Sequence, residues 1–119
     1  MQRASKKRAK IAWEGDSLDI LREFPDDVRK DLGFALDLLQ QGRLPANSKP
    51  MTSIGSGVFE LKEADERAWY RVIYLAKIEE TVYVLHSFEK QSAKTSRNDL
   101  ETAEIRLKRV LVRIREAKK

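Results

Sequence analysis

The chain has no cysteine and a single histidine, His86. Disulfides, thiolate nucleophiles and cysteine-ligated zinc or iron–sulfur centres are thereby excluded, and one imidazole leaves a histidine-rich metal site without ligands, so no metal and no cofactor are expected. Proline occurs three times and glycine five times, too few for a low-complexity or collagen-like chain. No apolar run approaches the roughly 18–20 residues that a membrane span requires. The basic N-terminus is not followed by the apolar stretch of a signal peptide. A cytoplasmic protein without membrane association is the expectation. Its chemistry has to come from Lys, Arg, Asp, Glu, Tyr, Ser or that one imidazole.

Apolar residues still make up 41% of the 119, against 36% charged, which is enough to fold around one core and too short for two. Charge is arranged in blocks. Residues 1–10 carry five basic and no acidic side chains, and residues 90–119 carry ten basic against four acidic, so the two ends together hold +11. Residues 11–41 have eight acids and three bases, a net of −5. Such a polarised molecule suits a polyanion on one side, most simply nucleic acid, because each neutralised phosphate releases counterions. A domain with solvated lysines is the alternative from charge alone.

Residues 1–10 show no apolar period and read as a flexible basic arm ahead of one domain over 11–119. Lys10 to Glu14 suits a short strand, and Asp16 or Ser17 can cap a short helix reaching about Phe24. From Asp26 to Gln41, Val28, Leu32, Ala35, Leu36 and Leu39 recur on one face of a helix that Gly42 ends. Residues 42–56, with Gly42, Pro45, Asn47, Pro50 and Gly55, read as a long surface connection.

Val58–Glu63, Trp69–Lys77 and Thr81–Phe88 are rich in β-branched and aromatic residues. Their short polar connections predict an antiparallel meander. Alternation in the middle strand puts Arg71 on a face with Trp69, Ile73 and Leu75. In the last strand it puts His86 with Val82, Val84 and Phe88. Ser96 then caps a helix with Asp99 at its third position. Leu100, Ala103, Leu107, Val110, Leu111 and Ile114 form that helix's apolar stripe, and Arg106, Lys108, Arg109, Arg113 and Arg115 a solvated basic face.

A metal-free ribonuclease can use the neighbouring 2′-hydroxyl as nucleophile. It must remove that proton, stabilise the extra charge of the phosphorane and protonate the leaving oxygen. Arginine suits the second task, since its planar fork donates two hydrogen bonds to phosphate while staying charged. Lysine transfers protons when neighbouring charge or burial lowers its pKa. Arg71, Lys90, Lys94 and Lys62, gathered at one end of a sheet, would form such a device, with His86 as an acid or base. Each has a plainer reading. Arg71 can pair with Glu60 across the sheet, His86 can be a satisfied core imidazole, and the lysines can be ordinary loop residues.

The segments FELKEADERAWYRVIYLAK (Phe59 to Lys77) and VYVLHSFEK (Val82 to Lys90), followed by KTS (Lys94 to Ser96) and an amphipathic helix, resemble the RelE/HigB superfamily of type II toxins, in its phage-derived HigB-like branch. The resemblance spans about residues 11–112. It implies an α+β RelE-like fold, with a small antiparallel sheet of about four strands flanked by two N-terminal helices and one C-terminal helix. It also implies a metal-independent mRNA endoribonuclease, ribosome-dependent in many members, that is restrained by a cognate helix-turn-helix antitoxin. Matched by position, Arg71 would contact the scissile phosphate, with Lys90, Lys94 and His86 completing the catalytic set. Lys62, Arg97, Lys6, Lys7 and Arg8 would bind mRNA or ribosomal RNA. A toxin-like module that keeps the partner surface without catalysis is the second expectation.

Overall fold

The computed structural model describes residues 8–91 and 95–119. In chain order the elements are β1 (Lys10–Trp13), α1 (Ser17–Arg22), α2 (Asp26–Gln40), β2 (Ser48–Pro50), β3 (Val58–Ala64), β4 (Trp69–Ile78), β5 (Thr81–Lys90) and α3 (Arg97–Ala117). The strands form one sheet in the order β1-β5-β4-β3-β2. The meander over β3, β4 and β5 is antiparallel as expected. The sheet has five strands rather than about four, and β1 runs parallel to β5. The additional strand is β2, inside the stretch read as a surface connection. It pairs antiparallel with β3 at the sheet edge, where Pro50 is tolerated because an edge residue can lack a ladder donor.

Helix α2 follows from its stripe: Val28, Leu32, Ala35, Leu36 and Leu39 are all buried. They pack with Leu61, Tyr70, Val72 and Tyr74 on one face of the sheet. Gly42 follows at φ +82°, a left-handed conformation that costs glycine little. On the other face Ile73, Leu75 and Leu85 pack against Ala103, Leu107 and Val110 of α3. Burial worth about 1.5–3 kcal/mol per large side chain holds both layers to the sheet. Ser96 caps α3 by accepting from the Asp99 backbone N–H at 3.2 Å.

Three details differ from the sequence reading. Leu111 is exposed on α3 rather than part of its packed stripe. Arg106 is tucked against the sheet, not on the solvated face: it donates to the Leu85 carbonyl at 3.0 Å and to the Asp16 carboxylate at 3.0 Å. The third lies in β5. Ile73 pairs with His86 but Tyr74 pairs with Val84, so Leu85 is the extra residue of a β-bulge. One inserted residue reverses the facing of everything beyond it. Val82 and Val84 face α1 and α2, whereas His86 and Phe88 face α3.

Residues of the basic arm that are described join the folded body. Ala9 is buried with its N–H on the Gln40 carbonyl at 2.8 Å, and Lys10 begins β1. Lys6 and Lys7 lie outside the described residues.

Candidate functional site

The bulge at Leu85 decides what the site contains, because it turns His86 onto the face that already holds Arg71. Register places Lys62, Arg71 and Phe88 abreast across β3, β4 and β5, with Trp69 opposite Lys90 one pair further along. Residues two positions apart on neighbouring strands are diagonal neighbours, so Arg71 and Lys90 share one end of one face. The Lys62 ammonium sits 5.1 Å from the centroid of the Trp69 ring, a cation–π contact. His86 stacks on Phe88 with centroids 5.0 Å apart.

Carboxylates from β3 and α3 meet these cations. Arg71 Nη1 donates to Glu60 Oε2 at 2.9 Å and to Thr95 Oγ1 at 2.5 Å, and the Thr95 hydroxyl lies 3.3 Å from the same Glu60 oxygen. The plainer reading of Arg71, pairing with Glu60 across the sheet, thus describes one end of its fork. The other edge differs: Nε and Nη2 are buried and have no partner among the described residues. Two donors on one planar edge match two oxygens of a phosphate or carboxylate. An unmade bond to a buried donor costs about 1–3 kcal/mol, so this edge is the most conspicuous unfilled polar position on the face.

His86 has both ring nitrogens engaged. Nε2 is 2.8 Å from Asp99 Oδ1, and Nδ1 is 3.4 Å from Arg106 Nη1. Arginine can only donate, so Nδ1 is the acceptor and Nε2 carries the proton toward Asp99. Asp99 also accepts from the Ser96 hydroxyl at 2.6 Å and lies 3.9 Å from the Lys90 ammonium. The first turn of α3 therefore supplies a carboxylate that faces both His86 and the Lys90 ammonium.

Among the other expected residues, Arg97 is exposed at the start of α3, and Arg8 pairs with Asp37 of α2. Lys94 lies outside the described residues. Thr95 and Arg106 were absent from the expected site, and Asp99 was legible only as a cap. Nothing in their local spacing signals a role, since each reaches the site through α3 docking on the sheet. Among the described residues no cluster of His, Asp and Glu is arranged to hold a metal ion. No helix among them is long and apolar enough to cross a membrane.

This sheet, with two helices on one face and a long helix on the other over a basic, carboxylate-threaded corner, defines a RelE-like α+β fold. Solved structures bear that out. A double-arginine mutant of the E. coli toxin RelE in the free state matches with TM-score 0.57 and 21% identity, covering 87% of this chain and 98% of that one. RelE in the isolated P21 crystal form gives 0.52 and 22%, with coverage of 86% and 98%. A chain of the intact E. coli RelBE toxin–antitoxin complex gives 0.54 and 19%, with coverage of 72% and 99%. The chain belongs to the phage-derived Gp49-like protein family (DUF891), whose pattern matches residues 19–108. No curated protein matches it in sequence.

Proposed function

We propose that the chain is the toxin of a toxin–antitoxin pair and cleaves mRNA, ribosome-dependently and without a metal ion, in the cytoplasm. The observation that carries this reading is the unpaired, buried edge of Arg71, two convergent donors without a partner among the described residues after Glu60 has fixed the other end of the fork. A scissile phosphate on Nε and Nη2 would hold two oxygens in one plane while its 2′-hydroxyl attacks phosphorus. The P–O5′ bond then breaks, leaving a 2′,3′-cyclic phosphate and a 5′-hydroxyl. The charge that builds on the phosphorane oxygens is met by a guanidinium already oriented by a carboxylate, so little reorganisation is needed in the transition state. That edge is covered in the free chain, and the groups over it have to part for a phosphate to enter.

In this reading Lys90 and Lys94 assist proton transfer or phosphate binding, and His86 acts once Asp99 has released Nε2. Lys62, Arg97, Arg8, Lys6 and Lys7 contact mRNA or ribosomal RNA phosphates. Similarity to RelE in a complex with its antitoxin supports a restraining protein partner, of the helix-turn-helix kind expected for the HigB-like branch.

A second reading, a noncatalytic toxin-like module, is favoured by the carboxylates themselves, since Glu60 and Asp99 occupy Arg71, His86 and Lys90. Induction in bacteria separates the two. Active toxin arrests growth and yields transcripts with 5′-hydroxyl ends, whereas Arg71→Lys, which keeps a charge on Glu60 but loses the fork, is tolerated. Equal toxicity of both, or harmless wild type, contradicts the catalytic reading.

A further inference from the structure

The opposite face of the molecule has the reverse chemistry. Phe34 on α2 is 67% exposed and Leu44, just beyond the helix, 64%. Phe34, Leu38 and Pro45 line a groove of about 320 Å³ whose rim carries Asp31 and Glu63. Burial pushes the Glu63 carboxyl above its ordinary range; the Asn47 hydrogen bond opposes this and the charge of Asp31 adds to it. Neither carboxylate has an ion-pair partner among the described residues. Asp27, one turn before Asp31, extends the acidic surface into the first turn of α2, whereas Asp26 is paired with Arg29.

Charge selects the occupant. RNA is repelled by this rim, and a second copy meeting the same face would set acid against acid across the two-fold. A protein segment with an apolar side chain beside a lysine or arginine meets both demands, covering the exposed ring and supplying the missing cation.

We infer that α2 and residues 42–47 form a docking surface for a basic, apolar segment of a partner protein, and, resting on the toxin reading above, that this partner is the antitoxin. Since α2 packs on the sheet face opposite Arg71, this contact holds the partner without touching the candidate site.

The test uses the full chain and the protein encoded by the adjacent reading frame, titrated calorimetrically. Phe34→Ser should weaken binding about 30-fold or more, as loss of a central aromatic anchor does. Asp31→Lys should weaken it about tenfold, and Ile105→Ser on exposed α3 should change it less than about twofold. All three positions are exposed, and circular dichroism checks that each variant is folded. Binding that survives Phe34→Ser and Asp31→Lys but fails in Ile105→Ser overturns the docking surface and leaves the antitoxin reading intact. A wild-type self-dimer abolished by Phe34→Ser overturns it as well. No binding by the wild type overturns this inference together with the antitoxin reading.

Discussion

Arg71 Nη1 lies 2.9 Å from Glu60 Oε2, and the two side chains are only 4% and 2% exposed. Moving either ion out of water costs several kcal/mol, and the pair recovers this through mutual attraction and the Thr95 hydroxyl. An ion pair so situated contributes little net stability, yet it aims a guanidinium whose second edge has no partner among the described residues. Position, more than stability, is what Glu60 supplies.

Breaking the pair and replacing it should therefore have opposite consequences. Glu60→Ala strands a buried guanidinium and should cost about 3–5 kcal/mol in urea denaturation. The double replacement Glu60→Met with Arg71→Met should be at least as stable as the wild type. A double variant as unstable as Glu60→Ala would show that the pair holds the sheet together.

The hairpin joining β4 to β5 is a two-residue turn over Glu79 and Glu80, both with positive φ, +49° and +73°. Left-handed backbone costs a residue with a Cβ about 1–2 kcal/mol, and such turns favour Asn-Gly. Glu79→Asn with Glu80→Gly should raise stability by about 1 kcal/mol, read as a higher Tm at unchanged secondary structure. The exposed Glu79–Lys118 ion pair that is lost offsets little of this.

Gly33 lies inside α2, where a Cβ would meet nothing within 4 Å. Gly33→Ala should stabilise the chain by about 0.5–1 kcal/mol in the same urea titration, the ordinary helix-propensity difference. A destabilised variant would mean that the helix backbone is strained there.

Acid unfolding should report on the turn between β3 and β4. Burial acts to raise the Asp65 carboxyl, but the Arg67 and Ala68 backbone N–H groups, the Tyr70 hydroxyl and the Arg67 charge together bring it below its ordinary range. A depressed folded value means that the stabilisation is present above the unfolded carboxylate pKa and is lost as pH falls through the folded one. Asp65→Asn should flatten that limb of a stability–pH curve below about pH 4. An unchanged limb would assign the acid sensitivity elsewhere.

Much of this was legible in the sequence, and the exceptions have identifiable causes. The stripe Val28 to Leu39 and the aromatic strands declare themselves by periodicity, and Ser96 declares the start of α3. Strand β2 is hidden because an edge strand of Ser-Lys-Pro needs neither alternation nor a full set of donors. The bulge at Leu85 is hidden because one inserted residue leaves composition unchanged while turning His86 from the Val84 face to that of Arg71. Arg71 with Glu60 could be proposed from the strands alone. Thr95, Asp99 and Arg106 could not, since their positions depend on where α3 settles on the sheet.

Whether Arg71 presents a two-donor edge to a scissile phosphate can be read from the 5′ ends of a reporter mRNA mapped in a translating extract. The wild type should give discrete 5′-hydroxyl ends, folded Arg71→Lys at least about a hundredfold fewer, and Lys90→Ala an intermediate loss. Undiminished cleavage by folded Arg71→Lys, or none by the wild type, would contradict that role for Arg71.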